Sequence, residues 1–265
     1  MQARSRWQPP SGWRVHPVAF ALLGCVPGLA AVLALGLCAS GVERIVAAGA
    51  RPVAARPADS HQAPRPAIVP RSAWLDDETR RAQPPPRYDD TVVAVFIHHT
   101  DSPNGYDCAD VPRIIRYVYA GQTGSRDWDD IGYNFLVDRC GTIYEGREGG
   151  IARPVTGAHT QGFNHRTTGI AAIGTFTGRR ARAEGDDRGD RVGGRLETGA
   201  LRHGPRAKVR LTSSNSYSRY PSGTAAMFPA VAGHNVGYMT SCPGAALSER
   251  LPEIRETAAR LQGRR

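Results

Sequence analysis

Short apolar runs alternate with helical stripes along residues 67–262 and predict a domain in which strands and helices are mixed. The run at residues 91–97 is almost continuously β-branched or aromatic, which is typical of a strand buried on both faces. An Asp-Arg-Cys-Gly turn between two other runs favours a β-hairpin. The remaining predicted strands, including the two of this hairpin, are residues 133–137, 142–145, 169–175 and 226–232.

Two stripes with a helical period complete the pattern. Asp110 is a suitable N-cap for the first helix, whose apolar face would carry Val111, Ile114, Ile115 and Val118. Pro252 interrupts the second stripe and predicts a break or a restart of that helix. The apolar positions of the second stripe are Leu247, Leu251, Ile254, Ala258 and Leu261. Together these elements indicate an α/β fold, with a mixed central β-sheet flanked by helices.

An apolar segment without charges, residues 17–42, lies between three N-terminal arginines and Glu43. This order predicts an export signal that places the rest of the chain outside the cytoplasm. The segment is long enough to span a bilayer, so a cleaved signal peptide within residues 1–50 and a single-span membrane anchor both stay open. Residues 51–66 are rich in Pro, Ala and Arg, and they predict a semi-extended linker to the folded domain at residues 67–262.

The formal net charge of the chain is +10, and arginine supplies nearly all of the basic residues. Such a charge suits polyanions, which include nucleic acid, anionic membranes and the acidic polymers of a cell wall. The sequence contains no zinc ribbon, no Gly-rich phosphate loop and no helix-turn-helix signal, and this argues against a nucleic-acid partner. We expect a monomer.

Three of the five cysteines lie in the part of the chain predicted to be exported. Export permits a disulfide, and three cysteines leave one unpaired. Cys108 and Cys140 each lie at the edge of a predicted element, and we predict that they form the disulfide. The closed loop would stabilise the fold by about 3–4 kcal/mol on the chain-entropy model. Cys242 is then free for another role.

Two histidines and the remaining cysteine have the chemistry of a catalytic zinc site. His98 ends a predicted strand, His234 follows another, and Cys242 lies in a Thr-Ser-Cys-Pro-Gly sequence. Two imidazoles and one thiolate leave the fourth position of zinc open, whereas a structural site would use four protein ligands. Pro243 suits the first position of a helix, so the thiol would lie at a helix N-terminus, where the dipole favours the thiolate.

His98 and His99 cannot both be ligands if the strand runs through them, because adjacent side chains of a strand point to opposite faces. One of them therefore supports the other, and the residue pattern leaves the choice open. The chain contains no His-Glu-x-x-His segment, which argues against a thermolysin-like protease.

Short motifs are spread over most of the domain, at residues 68–74, 96–100, 131–135, 144–147, 157–160, 233–234 and 242–244. Together they resemble the superfamily of peptidoglycan recognition proteins and type 2 N-acetylmuramoyl-L-alanine amidases, which includes phage amidase-type lysozymes. The resemblance implies the mixed-sheet fold of that family, a zinc ion, and hydrolysis of the amide bond between N-acetylmuramic acid and L-alanine in peptidoglycan. In the family the first histidine of the His-His pair binds zinc, which implies that His98, His234 and Cys242 are the ligands.

The resemblance also implies roles for five further residues. Tyr133 matches the tyrosine whose hydroxyl assists at the reacting carbonyl, although the pattern alone suits a core aromatic of a strand equally well. Thr240 occupies a position where family members carry Lys or Thr, and we expect it to take part in catalysis. His159 and Asn164 match residues that line the substrate groove, and Arg147 falls near that groove.

One segment departs from the family pattern. Residues 179–205 are polar and rich in Arg, Asp and Gly where the family usually places an amphipathic helix. The segment is interpreted as a divergent loop or as the product of two compensating reading-frame shifts. This segment motivates one alternative to an enzyme, a damaged and unstable relative. A second alternative is a murein-binding module that does not cut its ligand. Non-catalytic relatives typically lose the cysteine ligand, so Cys242 favours the enzyme.

Overall fold

The computed structural model describes residues 66–178 and 203–264. The predicted signal or anchor at residues 1–50, nearly all of the linker, and most of the polar segment at residues 179–205 lie outside the described residues. Within the two described ranges, no helix is both long enough and apolar enough to cross a bilayer. The domain boundaries stay predictions.

The described residues contain eight strands in two sheets. The strands are β1 (Ile68–Val69), β2 (Ala94–His99), β3 (Phe135–Val137), β4 (Ile143–Glu145), β5 (Thr167–Ala172), β6 (Lys208–Thr212), β7 (Ala225–Pro229) and β8 (Val231–Gly233). Six of them form one sheet in the order β1-β4-β3-β5-β2-β8, while β6 and β7 pair with each other. All neighbours in the large sheet are parallel except β3 and β4, the two arms of the predicted hairpin. The predicted mixed sheet is confirmed.

Strand β2 lies between β5 and β8, and all six of its residues are buried. It extends two residues beyond the predicted segment, because its last two residues, His98 and His99, pair with Ala171 and Ala172 of β5. Burial on both faces explains the continuous apolar run before them. Both histidines are therefore held in regular strand geometry.

The predicted strand at residues 226–232 is wrong in one respect, since the chain there forms two strands in different sheets. β7 belongs to the small sheet and β8 to the large one. Pro229 has no N–H group with which to continue a strand pairing. Ala230, the next residue, donates its N–H to the carbonyl of Ala207 and accepts the N–H of Val95, so the chain changes sheets at this residue.

Helices cover both faces of the large sheet. Helix α1 (Val111–Ala120) packs against Leu136 and Ala171, on the face to which the β6–β7 pair also contributes. Helix α2 (Ala245–Leu261) packs against Val95 and Ile97 on the opposite face. The alternation of strand side chains explains this division, because successive residues of β2 point to opposite faces.

Two expectations about the last helix are wrong. Helix α2 continues through Pro252, which lies on its exposed side, where water can satisfy the carbonyl that proline leaves without a donor. Leu261, assigned to the apolar stripe, is exposed because it lies at the last position of the helix.

The predicted disulfide between Cys108 and Cys140 is confirmed, with a Cα–Cα distance of 6.4 Å. It joins the segment just before α1 to the turn between β3 and β4. Cys242 is the free cysteine among the described residues, as expected.

Candidate metal centre

Three predicted ligands meet where two neighbouring parallel strands end. His98 is the fifth residue of β2, and His234 directly follows β8, which pairs with β2. Cys242 lies in the loop before α2, where the chain comes back to the same edge of the sheet. Carboxyl ends of adjacent parallel strands lie side by side, so residues far apart in the chain converge there.

The donor atoms of the three residues form one compact group, all within 4.8 Å of one another. Nδ1 of His98 lies 3.7 Å from Sγ of Cys242, and the ring centroids of His98 and His234 are 4.4 Å apart. Two nitrogen donors and one sulfur donor fit zinc, which prefers these ligand types in a tetrahedral arrangement. The other group of this kind among the described residues contains Cys108 and Cys140, whose sulfurs are bonded to each other.

The imidazoles of the centre are held in the neutral form that binds a metal. Burial lowers the pKa of His98 well below its usual range, and the neighbouring His234 and His159 add to this effect. Burial likewise lowers the pKa of His234 to about 4. Since a charged imidazole has no lone pair to offer, neutral rings at pH 7 leave the site ready for a cation.

The thiol of Cys242 behaves differently from the sequence expectation. Burial raises its pKa to about 12, although the backbone N–H of His99, 3.4 Å from Sγ, acts in the opposite direction. The expected helix N-terminus is absent at this position, because α2 begins at Ala245 and Gly244 before it has a φ of 92°. The residues alone therefore keep the thiol protonated, and coordination to a metal is what deprotonates a buried thiol of this kind.

The structure separates the two adjacent histidines. The ring of His98 joins His234 and Cys242, whereas Nδ1 of His99 accepts a hydrogen bond from the backbone N–H of Phe176 at 3.3 Å. His99 contributes to the centre through its main chain, whose N–H lies close to Sγ of Cys242.

Two tyrosines pack against the ligand rings. The Tyr133 ring lies 5.4 Å from that of His98 between centroids, and burial together with the nearby Cys242 raises the pKa of its hydroxyl. The hydroxyl therefore stays protonated and can donate a hydrogen bond. Tyr238, which sequence analysis missed, stacks on His234 at 5.4 Å with an interplanar angle of 11°. Its position four residues after His234, within the loop that leads to Cys242, was the available signal.

Thr240 lies beside the centre and makes a local contact. Its Oγ1 accepts the backbone N–H of Cys242 at 3.1 Å, which shapes the turn that presents the thiol. A direct part of Thr240 in catalysis stays a prediction.

None of the three residues assigned to the substrate groove lines the large cleft along α1 that is described below. His159 is buried, and its Nδ1 lies 3.3 Å from Nε2 of His98. Oδ1 of Asn164 accepts the backbone N–H groups of His159 and Thr160, so this side chain holds the loop together. Arg147 donates to the carbonyl of Ile131 at 3.3 Å and lines a separate small cavity.

A cleft of about 910 Å³ is lined by α1 and by loop residues that include Tyr133. Because Tyr133 also contacts the His98 ring, the cleft opens beside the metal centre. Arg126, which also lines the cleft, lies over the Trp128 ring at 5.4 Å. The cleft residues of α1 lie on a helix that the periodicity predicted, whereas those in the loops had no periodic signal. Other residues that line the cleft include Thr100, Asp101, Arg113, Arg116 and Tyr117.

Comparison with known proteins decides the family. The model of the Amidase_2 family, described as N-acetylmuramoyl-L-alanine amidase, matches residues 88–245. The chain belongs to this family. The resemblance based on the short motifs is thereby confirmed.

Similar proteins have names of two kinds. Peptidoglycan-recognition protein LE of Drosophila melanogaster is 41% identical over 114 residues, which are 42% of this chain and 30% of that protein. An N-acetylmuramoyl-L-alanine amidase of Mus musculus is 35% identical over 118 residues, which are 43% of this chain and 21% of that protein. The chain thus spans less than a third of the length of either relative.

The fold agrees with a solved structure of the same group. The structure of bumblebee PGRP-SA has a TM-score of 0.51 and 25% sequence identity, and the match covers 71% of this chain and 94% of that chain. The predicted fold of peptidoglycan recognition proteins and type 2 amidases is confirmed.

Proposed function

We propose that this chain is a zinc-dependent N-acetylmuramoyl-L-alanine amidase that cleaves bacterial peptidoglycan. The observation that carries the proposal is the convergence of His98, His234 and Cys242 within 4.8 Å, beside a half-buried tyrosine that also lines a cleft. Three protein ligands with a vacant fourth position are typical of catalytic zinc.

His98, His234 and Cys242 would hold the zinc ion. When bound, zinc supplies a Lewis acid for the lactyl carbonyl and a bound water whose pKa is about 7. The protein offers neutral imidazoles at this site, so no histidine proton must leave before the metal binds. The single proton that competes with the metal is that of the Cys242 thiol.

The reaction is hydrolysis of an amide. The elements of water add across the bond between the lactyl carbonyl carbon and the alanine nitrogen, so that a carboxylate and a free amine are formed. Negative charge develops on the carbonyl oxygen during this addition. The hydroxyl of the half-buried Tyr133 remains protonated and can donate to that oxygen, and a preorganised donor of this kind stabilises the transition state.

The cleft along α1 would accommodate the glycopeptide on one side of the scissile bond. Its arginines, including Arg126 beside Trp128, suit a substrate with carboxylate groups. The cleft would also suit a protein that binds murein without cutting it, and two relatives with recognition names illustrate that alternative. Binding alone has no need of a buried thiol grouped with two imidazoles, and this favours the enzyme.

We also propose that the domain acts outside the cytoplasm. The uncharged segment at residues 17–42 follows three arginines and has the pattern of an export signal. The Cys108–Cys140 disulfide supports an oxidising compartment.

The test uses the purified full chain, loaded with zinc, and isolated peptidoglycan. We expect new alanine N-termini in the soluble products, detected by amine labelling and mass spectrometry. Cys242→Ala should release none and should bind no zinc, whereas Ser241→Ala, at the exposed neighbouring position, should behave as the unchanged chain. Equal release by Cys242→Ala would overturn the zinc mechanism. Sedimentation with peptidoglycan without release of amines would identify a binding module.

A further inference from the structure

A chain of hydrogen bonds runs from the back of His98 to a main-chain carbonyl. Nε2 of His98 lies 3.3 Å from Nδ1 of His159, and Nε2 of His159 lies 3.5 Å from Oγ1 of Thr167. Oγ1 of Thr167 donates to the carbonyl of Phe163 at 2.6 Å. We call these three side chains and the carbonyl the His98 relay.

The carbonyl of Phe163 determines which atom donates and which accepts in every hydrogen bond of the His98 relay. A carbonyl oxygen can only accept, so the Thr167 hydroxyl must donate its proton there. The second carbonyl within reach of this hydroxyl, that of Asn164 at 3.2 Å, imposes the same direction. The hydroxyl oxygen is then left as an acceptor for His159.

This constraint also determines which nitrogen carries the proton in each of the two imidazoles. A neutral imidazole carries one N–H. The ring of His159 is buried, and its hydrogen-bond partners are His98, Thr160 and Thr167, none of which is a carboxylate that would stabilise a charged ring. With its proton on Nε2, facing Thr167, His159 presents a lone pair at Nδ1 to His98. His98 must then carry its own proton on Nε2, which leaves the lone pair of Nδ1 facing Sγ of Cys242 at 3.7 Å.

The hydroxyl of Thr160 can add two further hydrogen bonds that fit the same tautomers. Its Oγ1 lies 3.0 Å from Nδ1 of His159 and 3.4 Å from Nε2 of His98. A single hydroxyl can accept from His98 and donate to His159 at once. All of these side chains are buried, so water does not compete for the hydrogen bonds.

Two glycines make room for the ring of His159. A methyl group added at Gly157 or at Gly169 would collide with this imidazole. Gly169 belongs to β5 and pairs with Phe96 of β2, so the ring lies directly against the sheet. The ring is therefore confined to one orientation by close packing on the main chain.

We propose that His159 and Thr167 are positioning residues that hold His98 in the tautomer with its free lone pair at Nδ1, toward the metal. The inference deepens the proposed function, because it rests on the zinc site but not on the reaction. It assigns His159 to the support of a metal ligand in place of the substrate groove. Partners behind a metal-binding histidine fix its tautomer and orientation, and their loss commonly weakens metal affinity about 10–100-fold.

The experiment compares three buried substitutions in the full chain. Thr167→Val removes the hydroxyl at nearly constant volume, and Thr167→Ser keeps it. Thr168→Val is the matched control, because this buried neighbour on the same strand points to the opposite face. Zinc affinity is measured by competition with a chromophoric chelator. The tautomer of His98 is measured in metal-free, ¹⁵N-histidine-labelled protein by two-bond ¹H–¹⁵N correlations.

We expect a proton on Nε2 of His98 in the unchanged chain, in Thr167→Ser and in Thr168→Val. Thr167→Val should show a population with the proton on Nδ1 and about a 10-fold loss of zinc affinity. A wild-type tautomer and affinity in Thr167→Val, or an equal loss in Thr168→Val, would overturn the proposal. Because the tautomer is determined without metal or substrate, failure of the amidase proposal would leave this measurement unaffected.

Discussion

Nδ1 of His98 lies 3.7 Å from Sγ of Cys242, although 144 positions separate the two residues in the chain. The contact exists because β2 carries the histidine to the same sheet edge at which the loop before α2 presents the cysteine. The neighbouring His99 shares the strand but directs its ring toward Phe176.

The first prediction separates the two adjacent histidines. His98→Gln should lose the bound zinc, because one of three protein ligands is removed. His99→Gln should retain zinc, since its ring lies outside the donor group and glutamine can still accept the N–H of Phe176. Zinc content after dialysis, measured by atomic absorption, distinguishes the two. Loss of zinc in both variants at equal folded content would contradict the assignment.

The second prediction concerns the hydroxyl of Tyr133. Tyr133→Phe should keep zinc and the ring contact with His98, but lower kcat by about 10²–10³-fold, because a donor to the developing oxyanion is lost. KM should change little. The matched control is Tyr217→Phe, which removes a hydroxyl from an exposed ring. An unchanged kcat in Tyr133→Phe would exclude the hydroxyl from the transition state.

The third prediction concerns acid stability of the metal-free chain. Burial lowers the pKa of His159 to about 3 and that of His234 to about 4, from 6.5 in an exposed histidine. Between pH 6.5 and these folded values the unfolded chain binds more protons than the folded one, so the free energy of unfolding falls as pH falls. At pH 5 each of these two histidines should lower the free energy of unfolding by about 2 kcal/mol relative to pH 7.5.

Urea unfolding with EDTA at pH 7.5 and pH 5 measures this difference. The His159→Gln chain lacks one of the histidines whose pKa is lowered, and it should lose less stability over the same interval. Equal free energies of unfolding at both pH values in the unchanged chain would show that the histidines are not held neutral.

The fourth prediction concerns the disulfide. The double variant Cys108→Ser, Cys140→Ser should unfold with a free energy lower by about 3–4 kcal/mol, because a loop closure of 32 residues no longer restricts the unfolded chain. Zinc affinity should be unchanged, since none of the three ligands lies in the disulfide. A reductant should lower the stability of the unchanged chain and leave the double variant unaffected. A loss of zinc affinity in the double variant would show that the disulfide also shapes the centre.

Local patterns in the sequence were sufficient for much of the fold. The buried run of β2, the apolar face of α1 and the β3–β4 hairpin were predicted because their signals lie within a few residues. Residues 226–232 were not divided correctly, since the change of sheet at Ala230 depends on hydrogen bonds to Ala207 and Val95, far away in the chain.

The candidate site was likewise predicted in part from the sequence and decided in part by the packed structure. Residue chemistry and the family motifs were sufficient to select His98, His234 and Cys242, because imidazole and thiol are the groups that zinc prefers. The Cys242 thiol was expected to ionise, yet burial raises its pKa to about 12. Burial is a property of the whole packed domain and has no local signal.

The sequence by itself determined which groups can bind a metal, and it was sufficient to predict the Cys108–Cys140 pair, both long helices and the central strands of the large sheet. Only the tertiary structure decided which histidine ring faces Cys242, that His159 lies behind His98, and that Tyr133 lines the cleft. The physical reason is the distance along the chain over which each effect acts. Propensity and periodicity act over a few residues, whereas tautomer, burial and cleft shape depend on atoms that meet only when distant strands pair.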